Sequence, residues 1–198
     1  MFSQKIKNII FDLDGVLWNS SDIHNDCFRK ALIYYNFDDV NFNYDEIAGM
    51  KTEEAFNKIF LVNKKHFNTD LVNKITLLKR KLFLELELRS YLNIKLINWI
   101  KADTSYSKSL ASSASENSIM KFISISEIKN FDSIYSGQKV VKSKPAPEIY
   151  NNVIHDNKYN HEETLIVEDS FSGVKSALAS GVFNIAHLKE YINKNNII

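Results

Sequence analysis

Backbone-special residues are scarce in this chain of 198 residues, which has five glycines and two prolines. That scarcity excludes collagen-like and Gly/Pro-rich disordered chains. The single cysteine, Cys27, excludes an intramolecular disulfide framework and fits a reducing compartment. Its apolar neighbours suit a small core residue better than a nucleophile. No apolar run is long enough to span a bilayer. The apolar stretch after the first lysines is too short for a secretory leader and runs straight into acids. An excess of one charge is also missing: 25 Lys plus Arg face 24 Asp plus Glu, a formal net charge of +1. No basic stripe marks a nucleic-acid partner, and Lys64-Lys65 and Lys79-Arg80-Lys81 read as solvated helix faces. The expectation is a cytoplasmic protein with no nucleic-acid or membrane partner. The sequence says nothing about oligomeric state.

What is present is a real core, with 44% apolar and 25% charged residues, enough for one domain carrying a small insertion. The rare backbone-special residues gather beside carboxylates and one lysine. Gly15 follows Asp12 and Asp14, Gly173 follows Glu168-Asp169, and Pro145 and Pro147 follow Lys144. Asp12 and Asp14 end the apolar run Ile9-Ile10-Phe11. Ionised groups at such a point need a cation, a proton or a substrate to offset their desolvation.

Residues 5–11 read as a buried strand. A helix begins near Ser20 or Ser21, either of which can cap it. Residues 51–62 form a second helix with a Thr52 cap, and residues 69–90 a third whose face carries Leu71, Ile75, Leu78, Leu82 and Leu86. Residues 17–89 thus read as an all-helical insertion, and residues 1–16 and 90–198 as the main domain. In the latter, strands at 109–111, 133–135, 164–167 and 182–186 alternate with helices. The expected fold is α/β, a Rossmann-like doubly wound parallel sheet. In such sheets ligands bind beyond the carboxyl ends of the strands, so Asp12, Ser112 and Glu168-Asp169 share one crevice.

That crevice holds the parts of phosphoryl transfer. Asp12 suits a nucleophile that forms an aspartyl-phosphate, and Asp14 an acid that protonates the leaving oxygen and later deprotonates water. Magnesium prefers oxygen ligands, and four carboxylates in one crevice call for it. Asp12 and Asp169 are the leading ligands, with Glu168 and Asp14 as further ones. Lys144, Ser112 and Ser113 are candidates for the phosphate oxygens. Taken singly, each feature has a plain structural explanation: a turn, a helix cap, a surface lysine before a Pro-initiated helix, an acidic helix start. Together and in this order they point to chemistry.

Asp12-Leu13-Asp14-Gly15-Val16, then Ser112, Lys144 and Glu168-Asp169, resemble the four motifs of the haloacid dehalogenase superfamily. Ser143-Lys144-Pro145-Ala146-Pro147-Glu148-Ile149-Tyr150 and Val167-Glu168-Asp169-Ser170-Phe171-Ser172-Gly173-Val174 resemble its β-phosphoglucomutase-like and phosphoglycolate-phosphatase-like branch. His24 with Cys27 and Phe28 resembles the first cap helix of that branch, and Gly49-Met50-Lys51-Thr52 its cap loop. The resemblance implies a Rossmann-like core, a mobile helical cap and a small phosphorylated metabolite as substrate. Within the family, Asp14 favours phosphoesters over halides. The mutases share a cap-loop arginine near the place of Thr52, and Lys51 substitutes for it only as a point charge. The leading expectation is therefore a magnesium-dependent phosphatase. A β-phosphoglucomutase-like phosphomutase and a catalytically silent binding protein of the same fold are the alternatives. His24, Lys51, Thr52, Lys79 and Arg80 are the candidate substrate-side residues of the cap.

Overall fold

The computed structural model describes residues 6–188. Its centre is β1 (Asn8–Phe11), whose four residues are all buried. A strand covered on both faces reads as a continuous apolar run rather than an alternating one. β2 (Ser107–Ala111), β3 (Ser133–Tyr135), β4 (Thr164–Glu168) and β5 (Asn184–His187) complete a sheet in the order β3-β2-β1-β4-β5. All four pairings are parallel. The fold is a doubly wound α/β sheet. The chain winds outward from β1 through β2 to β3, then crosses back to β4. This puts the topological switch point beside the carboxyl end of β1.

Alternate residues of β1 serve opposite faces. Ile9 and Phe11 pack with Ile97 and Ile100 of α4 (Ile94–Ala102) and with Ile119 and Phe122 of α5 (Glu116–Ser126). Ile10 packs with Tyr150 and Val153 of α6 (Glu148–Asp156) and with Ala177 of α7 (Phe171–Ala179). Burying each large side chain contributes about 1.5–3 kcal/mol.

Three helices lie between β1 and α4: α1 (Ser21–Tyr34), α2 (Thr52–Val62) and α3 (Thr69–Leu84). They share a cluster of their own that includes Phe28, Leu32, Phe56, Phe60 and Ile75. Trp18 is fully buried where the chain enters this region; its indole N–H donates to Leu88 O at 3.1 Å, and its ring meets Phe83 at 5.3 Å and Phe122 at 5.6 Å. Trp18 is thus a packing wedge at the joint. The third helix ends at Leu84, short of the expected residue 90, and Leu86 is exposed. Its buried face is Val72, Ile75, Thr76, Lys79 and Phe83. Among the described residues no helix is long and apolar enough to cross a membrane.

Candidate active site

The ladder between β1 and β4 continues one residue past β1, with Asp12 N donating to Val167 O at 3.0 Å. Asp12 is thereby held at the switch point beside the end of β4. One carboxylate oxygen from each of Asp12, Glu168 and Asp169 lies within 4.8 Å of the others, and all three residues are buried. Lys144, 1% exposed, stands between two of them: Nζ donates to Asp12 Oδ1 and to Glu168 Oε1, each at 2.6 Å. Tyr150 donates to the same Glu168 oxygen at 2.6 Å, and its ring lies 4.8 Å from the ammonium. The other Glu168 oxygen accepts from Asp169 N, Ser170 N and Ser170 Oγ at 3.1–3.3 Å.

Burial pushes the Asp12 carboxyl well above the usual carboxylate range; Lys144 opposes this, while Glu168 and Asp169 add to it. At Glu168 burial also pushes upward, but Lys144, Tyr150 and the Ser170 amide outweigh it and the net direction is down. Lys144 loses by burial and gains more from Asp12 and Glu168, so its ammonium is held well above its ordinary value.

Two glycines make room for these acids. Gly15 has φ +84°, and a Cβ there would stand 2.0 Å from Asp169 Oδ2. At Gly173 a Cβ would stand 1.9 Å from Glu168 Oε1. Gly15→Ala is therefore expected to displace the Asp169 carboxylate and weaken the affinity of this acidic group for a divalent cation by about tenfold or more, since moved ligands cannot complete an oxygen shell. Isothermal titration with MgCl2 checks this; unchanged affinity would contradict it.

Asp14 stands apart from that group. Residues 13–18 form a tight loop, with Gly15 N donating to Trp18 O at 2.6 Å and Trp18 N to Leu13 O at 3.0 Å. Asp14 Oδ1 accepts from Ser20 Oγ at 2.6 Å and faces His24 Nε2 at 2.9 Å. His24 Nδ1 faces Lys79 Nζ at 2.7 Å. A charged Lys79 donates to Nδ1, which assigns the imidazole proton to Nε2 and makes His24 a donor to Asp14. Burial raises the Asp14 carboxyl, but His24, Ser20 and Lys79 outweigh it and leave it at about 2. Burial brings Lys79 down to about 8, against the opposing pull of Asp14. His24 is lowered by burial and by Lys79. Asp14, expected as a further ligand for the cation, meets a histidine and a serine through Oδ1. Ser20, expected as a helix cap, makes no cap hydrogen bond and spends its hydroxyl on Asp14.

The two serines after β2 diverge. Ser112 is 1% exposed, and its Oγ accepts from Ala114 N at 3.1 Å. Ser113 Oγ donates to Gly49 O at 2.6 Å, tying the sheet to the loop before α2. Helix α5 is capped by Ser115, whose hydroxyl accepts from Ser118 N. Both Ser112 and Ser113 line a cavity that also includes Asp12, Asp14, His24 and Asp169. Thr52, Lys79 and Arg80 line it from the helical side. Lys51, expected beside them, is not in that lining: its ammonium donates to Val140 O at 2.6 Å and bridges α2 to the loop after β3. Tyr44 also lines the cavity, and burial with Asp14, Asp169 and Asp12 nearby drives its phenol well above the usual value. Sequence reasoning gave no part in the site to Tyr44, Tyr150 or Ser20. Tyr150 carried a signal, since it closes the segment that begins at Ser143.

Strand order, the acidic switch point and the four sequence segments that build it define a hydrolase of the haloacid dehalogenase type. Residues 9–187 match the haloacid dehalogenase-like hydrolase family, and the chain belongs to it. It is 23% identical over 188 residues to a phosphorylated carbohydrates phosphatase of Thermotoga maritima, covering 93% of this chain and 86% of that one. Its fold is similar to β-phosphoglucomutase from Clostridium difficile, with TM-score 0.78, 20% identity, and 96% and 89% of the two chains covered. It is also similar to CbbY from Rhodobacter sphaeroides in complex with xylulose-(1,5)bisphosphate, with TM-score 0.72, 20% identity, and 89% and 84% covered.

Proposed function

We propose that the chain is a magnesium-dependent phosphatase of a small phosphorylated metabolite, working through an aspartyl-phosphate on Asp12. The observation that carries this is the contrast between two aspartates two positions apart. Asp12 is fixed by Lys144 among further carboxylates, and Asp14 is joined to a buried His24–Lys79 pair. Asp14 is the one joined to groups that can pass a proton, which suits a proton carrier, and Asp12 has no such relay, which suits a nucleophile.

Asp12 attacks phosphorus as the bond to the leaving oxygen breaks, and Asp14 delivers a proton to that oxygen. A dianionic phosphate beside Asp14 raises its proton affinity. The Lys79–His24 pair then supplies the proton: Lys79 gives one to Nδ1 while Nε2 gives one to Asp14. This leaves a neutral amine, the other histidine tautomer and a protonated Asp14. Water attacks the aspartyl-phosphate next, and Asp14 accepts its proton. Lys144 offsets charge on Asp12, and the Ser112 hydroxyl donates to a phosphate oxygen.

The carboxylates of Asp12, Asp169 and Glu168 fit a hard divalent cation, because they are buried and mutually close. When bound, Mg2+ would shield the anionic nucleophile from the anionic ester.

The test is a panel of phosphorylated metabolites and p-nitrophenyl phosphate. Phosphate release with Mg2+, at least 100-fold lower after EDTA and restored by Mg2+, is the expected result. Metal-independent release, or none on any ester, would overturn the reading. A phosphomutase uses the same pair of aspartates. Incubation with β-glucose 1-phosphate and its bisphosphate primer separates the two, since isomerisation in place of free phosphate would replace the hydrolase.

A further inference from the structure

Two residues at the start of α2 grip the segment that leads into Lys144. Lys51 is the N-cap of α2, and Glu54 stands three positions on, so the two share a face. The Lys51 ammonium donates to Val140 O at 2.6 Å and reaches Val141 O at 3.4 Å. The Glu54 carboxylate accepts from the buried Ser143 hydroxyl. Val140 lies 89 residues after Lys51, and Ser143 lies 89 after Glu54, so one turn of helix is matched against one short segment. A glutamate at this helix position commonly turns back to its own cap amide. This one reaches across to the segment after β3. Both contacts carry a full charge on one side, and such hydrogen bonds are roughly twice as strong as neutral ones.

The gripped segment runs directly into the lysine of the acidic wall. Its sheet-side anchors lie on the two helices that follow. Glu148, the first residue of α6, accepts from Val141 N at 2.7 Å and from Lys142 N at 2.8 Å. Ser176 of α7 donates to Ala146 O at 2.7 Å. Lys144 is thus approached from one side by α6 and α7 and from the other by α2. Its single ammonium must meet Asp12 and Glu168 at once, each at 2.6 Å. A point donor on a flexible four-carbon stem keeps two such contacts only while its backbone origin is fixed.

We infer that Lys51 and Glu54 are positioning residues: by holding residues 140–143 they seat Lys144 between Asp12 and Glu168. The use made of Lys144 rests on the phosphatase reading; its seating rests on these contacts. Without the grip of α2, the segment keeps its hydrogen bonds to α6 and the lysine loses its fixed origin. The acidic wall therefore receives its cation partner when α2 covers the cavity.

The experiment reads the seat of Lys144 directly. Full-length protein in MgCl2, with no ester present, is reductively methylated, and the rate at each lysine is followed by mass spectrometry. Lys108, 3% exposed in β2, reports any general loosening. Glu54→Ala and Lys51→Met are each expected to raise the Lys144 rate about tenfold relative to Lys108. Glu54→Gln keeps an acceptor oxygen for Ser143 and is expected to stay within about twofold of the parent. Adding Glu54→Ala to Ser143→Ala is expected to change the rate by less than about twofold, because the two act through one contact. In turnover, Glu54→Ala is expected to lower kcat by about 10- to 100-fold with KM within about threefold, and Glu54→Gln to restore it. A Lys144 rate that does not rise, or that rises only in step with Lys108, would reduce the pair to a staple and overturn the inference. So would a Glu54→Gln chain as impaired as Glu54→Ala, or a loss confined to KM. The labelling needs no turnover, so failure of the phosphatase reading is seen separately, as absence of hydrolysis by the unsubstituted chain.

Discussion

Asp12→Asn is expected to lower phosphatase turnover by on the order of 10⁴-fold or more, because an amide cannot attack phosphorus. The same substitution is expected to raise the melting temperature in magnesium-free buffer. The folded-state carboxyl is pushed well above its ordinary value by burial, against Lys144 and with help from Glu168 and Asp169. For a group whose folded value is raised, the stabilisation is complete below the unfolded value near 4. It is lost as pH rises toward the folded value. Asparagine, which does not titrate, is free of that cost. Magnesium reverses the preference: an ionised Asp12 is a better ligand than an amide, so the metal-induced rise in melting temperature shrinks in the variant. Two measurements check the pair of effects. Acid quenching after mixing with a phosphoryl-labelled ester should leave label on the unsubstituted chain and none on Asp12→Asn. Thermal melts with and without Mg2+ should change order. Retained turnover in the variant would remove Asp12 as the nucleophile.

The acidic wall of the cavity was legible in the sequence because parallel α/β topology turns separate strand ends into neighbours. Asp12, Ser112 and Glu168-Asp169 needed only correct strand assignment to be placed together. β3, three residues long, was found at its observed limits; β2, β4 and β5 differ at one or both ends by one or two residues, and the expected start of β1 at residue 5 lies outside the described residues. That part of the reading depends on local apolar runs, and those were present. The helical wall was less legible. Lys79 sits within Lys79-Arg80-Lys81, which has the look of a solvated run, yet it is 5% exposed. The clue was its spacing: it lies four residues after Ile75 and four before Phe83, both fully or almost fully buried on the same face. A charge on an apolar stripe can be recognised only when its partner is known, and His24 is 55 residues away. Ser20 shows a similar ambiguity. A serine before a helix is a good cap, and the choice between its own helix and Asp14 is made by the tight loop at 13–18. Lys51 shows the opposite outcome. Its position in the loop before α2 suggested substrate, but the carbonyls of Val140 and Val141 are within its reach.

Lys144→Met carries the largest expected effect on stability. The ammonium is hydrogen-bonded to two members of this buried acidic group, at 2.6 Å from both Asp12 and Glu168. Methionine conserves the apolar stem, so the loss isolates the charge. Removing one partner of a buried ion pair costs about 3–5 kcal/mol, because the other is left uncompensated. For a domain of this size that corresponds to a fall in melting temperature of roughly 6–20 °C. Two rescues follow from the same physics. Saturating Mg2+ should recover part of the loss by supplying charge to the same carboxylates. Glu168→Gln in the Lys144→Met chain should also recover part, because Glu168 keeps Tyr150 as a donor and no longer carries a charge to offset. Lys144→Arg should rescue poorly, since a planar fork does not fit a 1% exposed site built for a point donor between two oxygens. Chemical denaturation of the four chains with and without Mg2+ measures all of this. A Lys144→Met chain within about 1 kcal/mol of the parent, with no response to Mg2+ or to Glu168→Gln, would mean that the lysine is not what holds these acids together.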